Sequence, residues 1–472
     1  IQTALSESRH ARSSPRMSLA MPRRARLSPT FIAAVAAVGG FLFGFDTAVI
    51  NGAVAALRAD FAGGAGAIGF TVSAALLGCA AGAYLAGDFS ERHGRPRTMI
   101  LASTLFIASG VLSGAARSLA ELSLWRLLGG VAIGVASVVA PAYIAEISPA
   151  RIRGRLGSLQ QLAIVVGIFA ALLGDFALAR IAGSATAPLA FGLPAWRWMF
   201  WSEVVPAVAY GIGAFFLPES PRWLAARGRS AEARQILLSL GEDADVKLDE
   251  SPAAPQRLRD LRGPVLGLQG IVWTGVALAS LQQLVGINVI FYYSSVLWQS
   301  VGFSEHDALL VTVVTSVTNI VTTFIAIGTV DRFGRRPLLL AGSLGMALAL
   351  GLMAALFARA QVDATGVHLD RASGVAALIA ANVFVFCFGF SWGPVTWVML
   401  GEMFSNRIRG KALAVATAAN WIANFAVSVT FPWLQTLGLG IAYGAYALAA
   451  AASFVFVLRA VKETRGVELE AM

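Results

Sequence analysis

Asp46, Arg126 and Glu203 are the ionisable residues that lie well inside long apolar stretches of this 472-residue chain. Asp46 stands in FLFGFDTAVI, with no other charge between Phe31 and Leu57. A carboxylate at the centre of a bilayer helix costs about 2.5–3.5 kcal/mol on insertion scales, so it marks a site of proton or ion chemistry unless it reaches water from a helix end. Asp46 is too far from either end of its run for that. A second set of residues is uncharged. Gln282, Gln283 and Asn288 fall within one short stretch, LQQLVGIN, and Gln161, Asn319, Asn420 and Asn424 occupy other apolar runs. A carboxamide carries one acceptor and two donors, so it complements a hydroxyl of either polarity without importing a charge. Left unpaired inside, each such group costs on the order of 1–3 kcal/mol. Bonding between helices is the competing use and is worth about 0.6 kcal/mol in a membrane. The clustering of three amides favours a hydroxyl-bearing ligand.

The elements that must position these groups are membrane helices. The chain is 57% hydrophobic and 13% charged, against about 25% charged residues in soluble domains, and its mean hydropathy is +0.71. Charge-poor runs fall near 31–56, 67–88, 98–115, 122–145, 156–180, 196–217, 269–300, 308–330, 338–358, 373–400, 412–433 and 438–459. These lengths fit spanning α-helices; a β-barrel would show alternating segments of about ten residues. Basic clusters at Pro22 to Arg26, Arg92 to Arg97, Arg151 to Arg155, the central loop, Arg332 to Arg336 and Arg407 to Lys411 all fall on one side if every run crosses. The positive-inside rule then makes that side, and both termini, cytoplasmic. Topology thus accounts for the net charge of +10 without a nucleic-acid partner. Cys79 and Cys387 lie in apolar runs and read as packing residues. The four histidines build no metal site, and no nucleophile or cofactor constellation points to an enzyme.

The expected organisation is a disordered basic cytoplasmic tail over 1–29, a six-helix half over 30–217, a cytoplasmic linker with short amphipathic helices over 218–268, a second six-helix half over 269–460 and a cytoplasmic tail over 461–472. The basic, Ser- and Pro-containing start lacks the cleavage pattern of a signal peptide. The halves echo each other: EISPARIRG from Glu146 matches EMFSNRIRG from Glu402, and ERHGRP from Glu91 matches DRFGRRP from Asp331. Such duplication is the mark of a transporter that rocks around a midplane site. Acids recur beside arginines in these loops, at Glu91, Arg92, Arg95, Glu146, Arg153, Glu219, Arg222, Asp331, Arg332, Arg335, Glu402 and Arg409. Arginine forks bind carboxylates bidentately, so these loops read as latches that break and remake as the halves move. The plainer alternative is positive charge that only sets topology.

GFLFGFDTAVING, WRLLGG, PAYIAEISPARIRGRLGSLQQLAIVVG, PESPRWL, LQQLVGINVIFYYSS, DRFGRRPLLL, SWGPVTWV and GEMFSNRIRGKALA occur together and in order. Here the chain resembles the sugar porter family of the major facilitator superfamily, whose members include bacterial proton-coupled monosaccharide symporters and animal glucose facilitators. The resemblance implies an all-α membrane protein of about twelve spanning helices in two pseudo-symmetric halves. It further implies that Gln161, Gln282, Gln283, Asn288, Asn319, Asn420 and Asn424 bond sugar hydroxyls, that Trp397 lines the site, and that Phe43 and Tyr292 are aromatic positions at the site and its outer gate. Ile168 and Phe291 resemble hexose rather than pentose carriers. Trp392 and Trp421 read as packing residues. Two features depart from the family pattern: KETRG stands at Lys462 to Gly466, and Glu91 and Pro96 replace the usual loop residues.

Asp46, Arg126 and Glu203 match the acid, arginine and acid of family members that couple sugar to protons, whereas animal facilitators lack the first acid. Loss of water favours a neutral acid and a nearby guanidinium favours its anion, so a motion that separates the two switches proton affinity. A permanent Asp46 to Arg126 staple is the structural alternative. The implied activity is monosaccharide import with protons, the sugar being a hexose such as glucose, by a monomer in the cell membrane and with no cofactor. A passive facilitator is the runner-up, and a non-transporting sugar receptor comes third. On an ideal helix Gln283 and Asn288 are separated by about 140°. A break is therefore expected at Gly286, and another at Gly393 and Pro394.

Overall fold

Residues 28–149, 152–240, 258–363, 366–405 and 408–464 are described by the structure, a computed structural model. The tail expected over 1–29 lies almost wholly outside them, as do 241–257 of the linker and 465–472 at the C-terminal end.

Helices begin where the sequence supplies caps. The Ser28 hydroxyl accepts the Phe31 N–H, with Pro29 in the first turn, and α1 runs over Pro29–Phe61. It is followed by α2 (Ala65–His93), α3 (Arg95–Ala115), α4 (Leu119–Ile147) and α5 (Arg153–Ala182), with Ser118 capping α4. The sixth span is made of α6 (Ala195–Ser202) and α7 (Val204–Phe216), interrupted at Glu203. Short helices α8 (Pro221–Ala226) and α9 (Ser230–Ser239) follow in the central segment. The second half holds α10 (Gly270–Leu284), α11 (Ile287–Ser300), α12 (Glu305–Phe333), α13 (Arg335–Ala358), α14 (Arg371–Phe390), α15 (Trp392–Glu402), α16 (Arg409–Leu437) and α17 (Leu439–Ala460). Twelve spans among the described residues are long and apolar enough to cross a membrane. The helices overrun the apolar runs of the sequence because polar ends such as Ser90 to His93 stay helical.

Two pairs of loop strands were not legible, one of them joining Gln361–Asp363 to Gly366–His368. Pro188–Ala190 pairs with Leu193–Pro194 through a turn in which Phe191 (φ 53°) and Gly192 (φ 71°) are both left-handed, the backbone that tight hairpins require.

Glycine seams set helix spacing within the first half. A Cβ at Gly44 would strike the Ile164 carbonyl, and one at Gly167 the Phe41 carbonyl, so α1 and α5 meet backbone to backbone. Small residues drive such approach in membranes, where apolar side chains gain nothing by leaving lipid. Large apolar residues such as Phe215, Phe216, Leu348 and Leu448 remain on the outside, as a lipid-facing surface requires.

Candidate functional site

The amides of the second half converge where two spans are broken. Gly286 ends α10 with φ 82°, and a Cβ there would meet the Tyr446 ring. The break turns Asn288 toward Gln283: its Nδ2 donates to Gln283 Oε1 at 2.6 Å, a contact closed to an unbroken helix. Gln283 Nε2 donates in turn to Gln282 Oε1 (3.3 Å) and Asn420 Oδ1 (3.2 Å), while Asn420 Nδ2 donates to Gln282 Oε1 (2.8 Å) and the Ala279 carbonyl (2.9 Å). Gln282 Nε2 donates to the Trp392 carbonyl at 2.8 Å and the Gly393 carbonyl at 3.2 Å. These carbonyls lie just after the second break, which falls at Ser391 (φ −126°, ψ −90°), two residues before Gly393. Gln282, Gln283, Asn288 and Asn420 thus form one network across α10, α11, α15 and α16.

Around it stand residues from both halves. Asn424 lies one turn along α16 from Asn420, and its Oδ1 accepts from Ser428 Oγ at 3.2 Å; Tyr292 on α11 is buried. The Phe43 ring from α1 lies 5.7 Å from that of Trp421 on α16, bringing the halves together beside the amides. Trp421 is buried and its Nε1 has no protein partner. An indole donor left unsatisfied against such a network is a candidate ligand contact that sequence reasoning passed over as packing. Trp392 donates to the Leu339 carbonyl and Ser343 Oγ and belongs to the framework. Trp397 on α15 is 38% exposed. Gln161 and Ile168 are half-buried on α5, Asn319 is buried on α12, and none of the three joins the amide network in the described contacts. Phe291 is buried on α11.

One turn beyond Phe43 on α1 is the charged site. Asp46 and Arg126 are both buried; Arg126 Nη1 donates to Asp46 Oδ1 and, at 2.9 Å, to the Asp46 carbonyl. The helices can close on this pair because position 129 is glycine: a Cβ there would reach Asp46 Oδ2 and Ser109 Oγ. Glu203, at the interruption between α6 and α7, is also buried. Asp46 Oδ2, Arg126 Nε and Glu203 Oε1 are buried without partners. The Asp46 to Arg126 pair therefore sits in a site with spare hydrogen-bonding capacity.

The family described as "Sugar (and other) transporter" matches residues 32–472. The chain belongs to the sugar porters of the major facilitator superfamily. It is 55% identical to the "Glucose transport protein" of Synechocystis sp., over 93% of this chain and 96% of that one. It is 37% identical to the "D-xylose-proton symporter" of Escherichia coli K12, over 93% and 94%. Among solved structures, the xylose transporter of E. coli in a partially occluded inward open conformation superposes with a TM-score of 0.80 at 34% identity, over 93% of this chain and 99% of that one.

Each half of this sugar porter carries the same loop device at its basic end. In the first, Arg95 grips Glu146 with Nε (3.0 Å) and Nη2 (2.8 Å), and its backbone N–H donates to Glu219 Oε1 at 2.9 Å. In the second, Arg335 grips Glu402 with Nε (3.1 Å) and Nη2 (2.8 Å), and the N–H groups of Arg335 and Arg336 donate to Glu463 at 3.0 and 2.9 Å. Gly94 (φ 95°) and Gly334 (φ 90°) let these carboxylates approach, since a Cβ at either would strike them. Burial pushes the Glu219 carboxyl above its ordinary value, opposed by the Arg95 and Ser220 amides and the Arg95 charge. Glu463, in the departing KETRG segment, is the partner sequence reasoning missed. The Glu91, Arg92 and Arg222 side chains are exposed; the carbonyls of Glu91 and Arg92 accept from Arg227, and that of Glu91 also from Trp223. Arg332 lies over the Phe333 ring, and Arg409 Nε donates to the Phe404 carbonyl. The side chains of Arg153 and Asp331 lie outside the described residues.

At the opposite end the halves are joined directly. Asn51 on α1 inserts its carboxamide into α11: Nδ2 donates to the Phe291 carbonyl at 2.8 Å, and Oδ1 accepts the Ser295 N–H at 3.1 Å. Those two groups are four residues apart, so Asn51 bridges one helical hydrogen-bond position. Ser295 Oγ adds a bond to the Asn51 carbonyl at 2.6 Å, and Glu305 accepts the Ala185 N–H at 2.8 Å. The two bonds of the Asn51 carboxamide contribute about 0.5–1.5 kcal/mol each,. Asn51→Ala is expected to shift the equilibrium toward separation at this end by about 1–3 kcal/mol, read as increased reactivity of cysteines introduced along the Asn51 side of the cleft. Unchanged reactivity would remove Asn51 from the clamp.

Proposed function

We propose that this sugar porter imports a monosaccharide, a hexose such as glucose, together with a proton, and that it does so by alternating access. The observation that carries the reading is the buried Asp46 to Arg126 contact with Glu203 beside it, one helical turn from Phe43, which touches Trp421 at the amide network. Sugar in the amide network and the proton on the carboxyl are thereby linked through one segment of α1. Protonation of Asp46 releases Arg126, and sugar drawn against Phe43 from one half and against Trp421 and the amides from the other favours closure around it. The amides supply donors and acceptors for hydroxyls, and the indoles cover apolar C–H faces of the ring.

The clamp at Asn51 and the similarity to a partially occluded inward open relative support a state open toward the basic end. We place that end in the cytoplasm from the bias of its loops, with the Arg95 to Glu146 and Arg335 to Glu402 grips each latching the loops of its own half there and the chain working as a monomer in the cell membrane. The relative described as a glucose transporter, at 55% identity, supports hexose over pentose.

The test is uptake of labelled glucose, galactose and xylose into proteoliposomes with and without an inward proton gradient. Glucose is expected to accumulate above its outside concentration only with the gradient, and a protonophore is expected to collapse the excess. Equal equilibration under all conditions would establish the passive facilitator, in which Asp46 and Arg126 only staple helices.

A further inference from the structure

A fourth buried acid lies outside both sites. Asp175 on α5 is 1% exposed, and it sits near the end of the bundle that Asn51 clamps. Its Oδ2 accepts the Gly52 N–H at 3.1 Å, while Oδ1 is buried without any partner. The approach is built into the sequence: a Cβ at position 52 would come within 2.6–2.7 Å of the Asp175 Cβ, Cγ and Oδ2. No counter-charge meets it. Of the groups on the elements packed around this end of α5, Asp60 on α1 accepts from Trp196, Arg197 on α6 donates to the Gly114 and Ala116 carbonyls, and Glu305 on α12 accepts from Ala185. His306 packs against Phe176, Asp307 is bonded by Ser304, Arg180 lies over the Phe176 ring, and Arg58 is exposed. On α4, Arg126 is committed to Asp46. Among the described residues none of these forms an ion pair with Asp175.

One backbone amide does not compensate a carboxylate out of water, and a neutral acid tolerates the same surroundings far better. Gly52 is the residue next to Asn51, and Phe176 next to Asp175 packs on His306 of the other half. Parting the halves at this end therefore removes the cover over Asp175 and admits water. We propose that Asp175 is a second proton-binding site of this chain, loaded while the Asn51 end is closed and emptied to water on that side when the end opens. The O–H bond of the carboxylic acid breaks on opening, the proton passes to water, and it returns on closing from the same side. The site sets the pH dependence of this gate and carries no proton across the membrane. It stands whether or not transport is coupled at Asp46.

Two measurements on the full chain in lipid test it. Infrared spectra of the closed state are expected to lose one protonated-carboxyl carbonyl band in Asp175→Asn, with Asp175→Ser as a second neutral variant should the first fail to fold. Spin labels across the Asn51 end are expected to report an open-to-closed ratio that rises with pH by up to about tenfold per unit, the limit for one released proton. That rise is expected to vanish in Asp175→Asn and to persist in Asp46→Asn. A band retained in the neutral variants, or a pH response unchanged by them, overturns the proposal. Absence of gradient-driven sugar accumulation would alter neither readout, so this site and coupling at Asp46 fail separately.

Discussion

Asp46→Asn is expected to abolish sugar accumulation against its gradient while exchange of labelled for unlabelled sugar continues. The amide keeps an acceptor where Arg126 Nη1 donates, so the buried contact and the packing over Gly129 survive. What disappears is the group that binds and releases a proton. Arg126→Leu acts differently, because it strips the guanidinium paired with the buried Asp46. Removing one partner of a buried pair typically costs about 3–5 kcal/mol. Thermal unfolding of the detergent-solubilised protein is expected to record that loss, with part of it recovered when Asp46→Asn is added. Exchange is expected to fall with the Arg126 change and not with the Asp46 change. Gradient-driven accumulation by Asp46→Asn equal to that of the parent chain would sink the coupling role. An Arg126→Leu protein as stable as the parent would mean that the guanidinium is not the counter-ion of the site.

What could be read in advance follows from where interaction partners come from. Asp46 and Arg126 announce themselves because each is a charge in an apolar run, and bilayer physics penalises an unexplained charge. The break at Gly286 was legible because Gln283 and Asn288 could not share one face of a straight helix; its partner falls at Ser391, two residues before the expected glycine and proline. Asn51 left no such trace. One asparagine near a helix end is ordinary, and its partners are a carbonyl and an N–H of α11, which sequence does not mark. Glu463 was hidden in a segment read as a departure from pattern, although its role repeats that of Glu219. Asp175 stood near the end of an apolar run, where an acid normally reaches water; only the close approach of Gly52 makes it buried. The Trp421 indole was indistinguishable from packing until its nitrogen was found without a partner.

The amide network supports a second large effect, which separates framework from ligand contacts. Gln282 is bonded at both ends of its carboxamide: Nε2 holds the Trp392 carbonyl at 2.8 Å and Oε1 holds Asn420 Nδ2 at 2.8 Å. Gln283 donates only at 3.2 and 3.3 Å, long for an N–H to oxygen bond,. Long bonds are the ones a sugar hydroxyl can replace at little cost, whereas those of Gln282 tie α10 to the break before α15. Gln283→Ala is therefore expected to weaken glucose binding by about 1–3 kcal/mol, roughly 5- to 150-fold, with a smaller fall in unfolding temperature than Gln282→Ala, because the Asn288 amide alone loses a close partner,. In Gln282→Ala binding falls by a similar factor, but stability falls further, because the Trp392 and Gly393 carbonyls and the Asn420 amide each lose a buried partner. Calorimetric titration with glucose beside thermal unfolding resolves the two. Equal stability losses for both variants would make the network purely structural and move the sugar contacts elsewhere, toward Trp421 and the α5 glutamine Gln161.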